Sequence, residues 1–144
     1  MTQQRYNDTE RLISDIDQLQ LTNETEVMIY REDRHHEEIV VDLGGQEEQF
    51  EELKTLIAFA AGNLCKMDRI AQEYNKDKQF ADHYEVAYLR LDTPDTIRIT
   101  YFGVCENTEF DVVFQVADGD LILRSFGTIK DIASDWYKTD EGYR

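Results

Sequence analysis

The chain has 144 residues, the length of one ordinary domain, and 41% of them are hydrophobic, which is enough to form a core. Its 31 acidic and 15 basic residues give a formal net charge of −16, so phosphate backbones and anionic membrane surfaces repel it. These properties predict a single globular domain over residues 1–144 and exclude direct binding to nucleic acid.

The beginning of the chain and its two cysteines bear on the cellular compartment. The first residues, MTQQRYNDTERL, contain neither the basic nor the apolar segment of a secretion signal, and no later stretch is apolar enough for a membrane span. Cys65 and Cys105 occur without a CxxC or Cys/His spacing. We therefore expect a cytoplasmic protein with reduced thiols and no contact with a membrane.

The first predicted elements are a polar N-terminal segment and a hairpin. Residues 1–25 carry few apolar side chains, at spacings that predict a short amphipathic helix or a mobile arm. Residues 27–31 and 38–43 have strand composition and flank the polar segment EDRHHE, which predicts a β-hairpin. Gly44 and Gly45 end its second strand.

The clearest periodic signal predicts a long amphipathic helix from residue 46 to about residue 76. Its apolar residues alternate between spacings of three and four: Phe50, Leu53, Ile57, Ala60, Leu64, Met67, Ala71 and Tyr74. Acidic residues at its start and lysines at its end oppose the helix macrodipole. Gly62, in the middle, predicts either a kink or the close approach of a strand.

Four more strands are predicted after the helix, over residues 84–91, 97–104, 110–116 and 121–126. Asp118-Gly119, between the last two, is typical of a tight two-residue hairpin turn. Residues 128–144 predict a short C-terminal helix, with Trp136 in the core. The predicted fold class is α+β: an N-terminal hairpin, one long amphipathic helix packed on a four-stranded antiparallel meander, and a short C-terminal helix.

Residues with reactive or metal-binding side chains form no recognisable motif. The chain has no G-x-S-x-G segment, no P-loop and no G-x-G-x-x-G segment. His35-His36 and the loop ENTEFD at residues 106–111 are candidates for a metal site, but side chains of these types in loops are more often simply solvated. We therefore predict no catalytic residue, no cofactor and no metal ligand.

Acidic residues interleaved with tyrosines along the predicted strands favour a protein-binding surface. Tyrosine adds a large apolar area with a polar tip, and neighbouring carboxylates complement lysine and arginine on a partner. The residues predicted to contact a basic protein partner are Glu85, Tyr88, Tyr101, Glu106, Glu109 and Asp111. The alternative is that the tyrosines are ordinary strand residues.

The C-terminal part of the chain carries a resemblance to a known group of proteins. Residues 99–137, ITYFGVCENTEFDVVFQVADGDLILRSFGTIKDIASDWY, resemble the ends of small bacterial α+β proteins, among them immunity proteins of polymorphic toxin systems. The segment contains no catalytic motif, so the resemblance assigns no role to an individual residue. It implies a non-enzymatic acidic protein that binds and blocks a basic toxin, such as a nuclease.

Three functions remain open at this point. The first is an interaction protein of the immunity or inhibitor type, which requires an acidic face. The second is a small-ligand-binding protein or an enzyme, which requires a cleft on the sheet. The third is a structural homo-oligomer that pairs through the long helix, because its apolar spacing resembles a coiled-coil seam. The sequence does not fix the oligomeric state.

Overall fold

The computed structural model describes residue 14 and residues 16–21, 26–31, 37–78, 84–103 and 108–127. Its strands are β1 (Glu26–Arg31), β2 (Glu37–Asp42), β3 (Tyr84–Thr93), β4 (Thr96–Gly103), β5 (Thr108–Ala117) and β6 (Asp120–Gly127). The long helix α1 covers Phe50–Lys78, and two short 3₁₀ turns cover Ile16–Gln18 and Glu47–Gln49. The predicted C-terminal helix and Trp136 lie outside the described residues.

The strands form one six-stranded mixed sheet in the order β1-β2-β3-β4-β5-β6. Neighbouring strands are antiparallel except β2 and β3, which run parallel and pair through Val41↔Leu89 and Asp42↔Arg90. A parallel pair needs a crossover connection, and α1 supplies it between β2 and β3.

The α+β class with one long helix is thus confirmed, whereas the predicted sheet is incomplete. The prediction of a hairpin separate from a four-stranded antiparallel meander is wrong, because β2 pairs with β3 and adds the hairpin to the same sheet. The physical reason is that one helix covers a sheet wider than four strands: α1 contacts β1 at one edge and β6 at the other.

Helix α1 buries the predicted apolar stripe against the sheet. Seven of the eight stripe residues are buried, and Phe50 packs partly buried at the start of the helix. The helix continues without a break through Gly62, which is exposed, so of the two alternatives predicted for Gly62 the close approach of a strand is wrong. The stripe that would pair with a second copy is therefore covered by this chain's own sheet. Neither α1 nor any other described helix is long and apolar enough to cross a membrane.

The described part of the N-terminal segment packs on α1, and most of the predicted N-terminal helix or arm lies outside the described residues. Leu19 is buried in the core, and Ile16 and Leu21 pack against it. The buried Lys54 of α1 donates a hydrogen bond from Nζ to the backbone oxygen of Asp17 (3.0 Å). Its ammonium also lies 3.1 Å from Glu51 Oε1, so its charge is balanced. Residues 16–21 are therefore held to the helix.

Aromatic side chains fill the end of the core between α1 and strands β3 to β6. Phe110 stacks on Tyr101 (ring centroids 5.4 Å apart), contacts Phe126 (5.2 Å) and forms a T-shaped pair with Tyr84 (5.4 Å). Tyr74 of α1 reaches the Phe126 ring at 5.2 Å. Such pairs add favourable ring geometry to the burial of large apolar area.

Two glycine turns require backbone conformations that other residues rarely adopt. Gly44 ends β2 with φ of 61°, and a Cβ there would lie 2.8 Å from the backbone oxygen of Leu91. Its N–H donates to Asp42 Oδ1 (2.8 Å), which fixes the exit of β2 beside β3. The predicted Asp118-Gly119 hairpin turn is confirmed, with φ of 52° and 81° at its two residues.

Candidate functional site

The face of the sheet opposite α1, here called the outer face, carries the polar and exposed side chains of the strands. Cross-strand partners share a face, because successive side chains of a strand point to opposite sides. One row on this face joins Glu85, Phe102 and Glu109, which are paired across β3, β4 and β5. All three are exposed, and Phe102 retains 37% of its accessible surface. The row therefore places an apolar ring between two carboxylates.

The next row on the outer face contains Tyr88, Thr100 and Asp111. The β3–β4 register shifts between Val86 and Tyr88, so Glu85 and Tyr88 fall on the same face although they are three residues apart. Tyr88 is 37% exposed, whereas Thr100 and Asp111 are buried. Thr100 donates a hydrogen bond from Oγ1 to Asp111 Oδ1 (2.7 Å). Only the Tyr88 end of this row is open to a partner.

Two arginines in the third row form a compensated charge network. Arg90 and Arg98 lie directly opposite each other on β3 and β4, an arrangement that is unfavourable for like charges. Asp92 lies between them, 3.1 Å from Arg90 Nε through Oδ1 and 2.7 Å from Arg98 Nη2 through Oδ2. Arg98 Nη1 also lies 3.6 Å from Asp111 Oδ2. Both guanidinium groups therefore form ion pairs with carboxylates on the outer face.

Burial makes Asp111 an unusual carboxyl group within this network. Desolvation raises its pKa above the ordinary value, while the hydrogen bond from Thr100 and the charge of Arg98 act in the opposite direction. Asp111 sits between the inward-facing Phe110 and Val112, so its side chain points to the outer face and is covered there at 4% exposure. The Asp111 carboxylate thus joins Thr100 and Arg98 of β4 to β5 on the outer face.

Replacing Asp111 with asparagine should change how stability depends on pH. Since the folded pKa of Asp111 lies above its unfolded value, the unfolded chain loses this proton first as pH rises from 3.8, and stability falls until the folded pKa is passed. Asp111→Asn has no proton to lose, so its free energy of unfolding should not fall in this way. The difference between variant and wild type should therefore shift in favour of the variant as pH rises through this window, and stay constant at higher pH. Urea denaturation from about pH 4 to about pH 7 measures the difference.

Thr100→Val provides the matched comparison for this prediction. The substitution removes the hydrogen bond that favours ionised Asp111, so it should raise the folded pKa further and extend the window of falling stability to higher pH. Parallel pH profiles for Asp111→Asn and the wild type over the whole range would contradict the assignment.

A cavity of about 350 Å³ opens on the outer face between β1, β2 and β3. Its lining residues are Glu26, Val40, Asp42, Ala87, Tyr88 and Arg90. Glu26, Asp42 and Arg90 follow one another across the three strands as register partners. A second cavity, of about 310 Å³, lies where α1 meets the turns of the meander and is lined largely by Leu56, Phe59, Pro94 and Val116.

The structure brings together some of the residues that the sequence predicts for partner binding, but not all. Glu85, Tyr88 and Glu109 are exposed on the outer face and remain candidates. Tyr101 is fully buried on the opposite face and donates its hydroxyl hydrogen bond to Asp68 Oδ1 (2.9 Å). Asp111 is buried too, so neither Tyr101 nor Asp111 is presented to a partner in this fold. Glu106 lies outside the described residues.

Sequence reasoning missed Phe102 and the cavity. The alternation of Ile97, Ile99 and Tyr101 assigns those residues to the core and Phe102 to the outer face, so the signal for an exposed ring was present. The cavity had no such signal, because it depends on the pairing of β2 with β3. Within the described ranges no three His, Cys, Asp or Glu side chains are placed to hold a metal ion, and His35, His36 and His83 fall outside those ranges.

Comparison of this chain with protein-family models, with curated protein sequences and with solved structures gives no match.

Proposed function

We propose that this domain is a non-enzymatic protein-binding module that uses its outer face to bind a basic partner, as an immunity or inhibitor protein does. The observation that carries the proposal is the row of Glu85, Phe102 and Glu109, in which an exposed aromatic ring lies between two exposed carboxylates. Protein interfaces combine apolar aromatic anchors with a polar rim, and this row has both parts.

Charge complementarity supports the choice of a basic partner. The net charge of −16 attracts cationic proteins over distances longer than a direct contact and raises their association rate. Arg90 and Arg98 on the outer face do not oppose this attraction strongly, because Asp92 lies within ion-pair distance of both. The exposed carboxylates of Glu85 and Glu109 therefore determine the sign of the potential near Phe102.

A second candidate function is the binding of a small ligand, and the cavity between β1, β2 and β3 favours it. Its volume of about 350 Å³ falls at the lower end of the range for ligand sites. Polar groups converge on it, namely two carboxylates, a guanidinium and a phenol. The cavity is open to solvent, and its described lining residues include two carboxylates and one guanidinium. A cationic side chain of a protein partner could therefore occupy it as well as a small ligand.

Affinity capture tests the protein-binding function. The immobilised domain should retain a basic protein from a lysate of its source cells at low salt and lose much of it at moderate salt, because salt screens the attraction. A second column carrying Glu85→Gln and Glu109→Gln should bind the same protein about 2- to 30-fold more weakly, since each exposed ion pair contributes roughly 0.2–1 kcal/mol.

Mass spectrometry of both eluates identifies the protein and measures the difference between the columns. The variant column is the control for non-specific adsorption to an acidic surface, because the variant retains most of the chain's negative charge. Equal retention on both columns, or no basic protein on either, would overturn the proposed function.

A further inference from the structure

The cavity between β1, β2 and β3 has an acidic wall built from neighbouring strands. Glu26 and Asp42 are direct cross-strand partners on β1 and β2, and both line the cavity. The Asp42 carboxylate is oriented by the Gly44 N–H, which donates to Oδ1. Among the described residues the Asp42 carboxylate has this one hydrogen bond, so Oδ2 has no hydrogen-bond or ion-pair partner there. This oxygen is available to a donor that enters from outside.

The remaining walls suit an alkyl chain that ends in a planar cation. Val40 and Ala87 provide apolar surface, and the partly exposed Tyr88 adds an aromatic ring. Ala87 and Tyr88 lie at a register shift of β3, both are exposed, and both line the cavity. Cations are attracted to the faces of such rings.

Arg90 is the one cationic side chain among the described residues of the wall, and its charge is compensated. Its Nε lies 3.1 Å from Asp92 Oδ1, on the side of the network with Arg98. Among the described lining residues, two carboxylates accompany one guanidinium, and Asp92 compensates that guanidinium. An anionic ligand would have to approach the Asp42 carboxylate, whereas a cation meets it favourably.

We propose that this cavity receives an arginine side chain of the basic partner, an inference that rests on the proposed protein-binding function. The guanidinium binds Asp42 Oδ2, its plane lies against Tyr88, and its methylene groups pack on Val40 and Ala87. Arginine fits better than lysine, because a planar guanidinium both stacks on an aromatic ring and donates paired hydrogen bonds to carboxylates. The cavity adjoins Phe102 through the row of Tyr88 and Thr100, so one partner surface reaches both.

A titration followed by NMR tests the arginine pocket without the partner. The probe is the blocked tripeptide acetyl-Gly-Arg-Gly-amide, added to the ¹⁵N-labelled full chain. We expect saturable shifts of the backbone amides of Val40, Asp42 and Tyr88, with a Kd of about 1–10 mM. The same peptide with citrulline in place of arginine has nearly the same shape without the charge and should leave these amides unshifted.

Two variants distinguish the pocket from general attraction to an acidic protein. Asp42→Asn keeps an acceptor for the Gly44 N–H but removes the charge, so the peptide should bind about fivefold or more weakly. Glu73→Gln removes one charge from the exposed side of α1, away from the outer face, and should change the Kd by less than about twofold. Unchanged binding to Asp42→Asn, equal shifts with the citrulline peptide, or no saturable shift would overturn the pocket.

The outcomes also separate the pocket from the proposed function. If the peptide fails to bind while capture still depends on Glu85 and Glu109, the pocket is wrong and the function stands. If the peptide binds in a charge-dependent way but no basic protein is captured, the guanidinium site stands and the function is wrong. Tighter binding of free arginine than of the blocked tripeptide would identify a small-molecule site and overturn the assignment to a protein side chain.

Discussion

Replacing Phe110 with alanine is expected to lower the free energy of unfolding by about 3–5 kcal/mol. Phe110 is 1% exposed and its ring contacts Tyr84, Tyr101 and Phe126. The alanine variant loses the burial of the ring and leaves a cavity between α1 and the sheet, which its stiff aromatic neighbours fill only partly. Urea denaturation followed by circular dichroism measures the loss.

Phe102→Ala is the matched control for this prediction. Phe102 is one strand away on β4, but its side chain lies on the outer face and is 37% exposed. Its removal leaves no closed cavity, so the cost should be about 1 kcal/mol. Phe110→Leu, which keeps much of the volume, should lie between the two and serves as a folded variant if the alanine substitution leaves too little stability. Equal losses for Phe102→Ala and Phe110→Ala would contradict the assignment of the two faces.

The elements that the sequence predicted well are those that local patterns determine. The stripe on α1 follows from the helical period, and burying it requires only that some apolar sheet be present. The Asp118-Gly119 turn follows from the tolerance of these two residues for positive φ. The four strands after the helix begin and end within two residues of their predicted bounds, because turn residues mark their ends.

The pairing of β2 with β3 was not predictable in the same way. Forty-one residues separate the last residue of β2 from the first of β3, counting the long helix, and nothing in the composition of either strand specifies a parallel neighbour. The contact is fixed by the turn at Gly44, whose close approach to Leu91 becomes visible only when both strands are in place. Since the candidate arginine pocket spans β1, β2 and β3, it also could not be predicted.

Whether a predicted partner-binding residue is accessible depends on which face of the sheet its side chain lies on and on whether it is buried there. Tyr101 was predicted to bind a partner together with Glu106 and Asp111 because these residues are close in sequence. Its neighbours on β4 point to the outer face, so the Tyr101 side chain points to α1. Asp111 does point to the outer face, but Thr100 and Arg98 bind its carboxylate and burial removes it from solvent. Asp111 was predicted to contact a partner because of its residue type, which does not indicate whether a strand carboxylate is buried.

Phe102→Ala should weaken binding to the captured partner by about 30-fold or more, while the domain stays folded. Aromatic side chains at the centre of an interface commonly contribute 2 kcal/mol or more on truncation to alanine, and Phe102 is the exposed ring at the centre of the glutamate row. Isothermal titration of the purified partner against the wild type and the variant measures the change in Kd. An unchanged Kd with Phe102→Ala would show that the partner binds elsewhere.

The salt dependence of the affinity separates what Phe102 contributes from what the glutamates contribute. An apolar contact is not screened by ions, so Phe102→Ala should lower the affinity at every salt concentration by the same factor and act mainly on the dissociation rate. Glu85→Gln with Glu109→Gln should instead slow association and flatten the decline of affinity with salt, because these exposed carboxylates act over a distance. If the two variants differ in this way, the outer face binds through an apolar anchor within an attractive acidic rim; if Phe102→Ala alone flattens the salt dependence, the ring acts by positioning the glutamates.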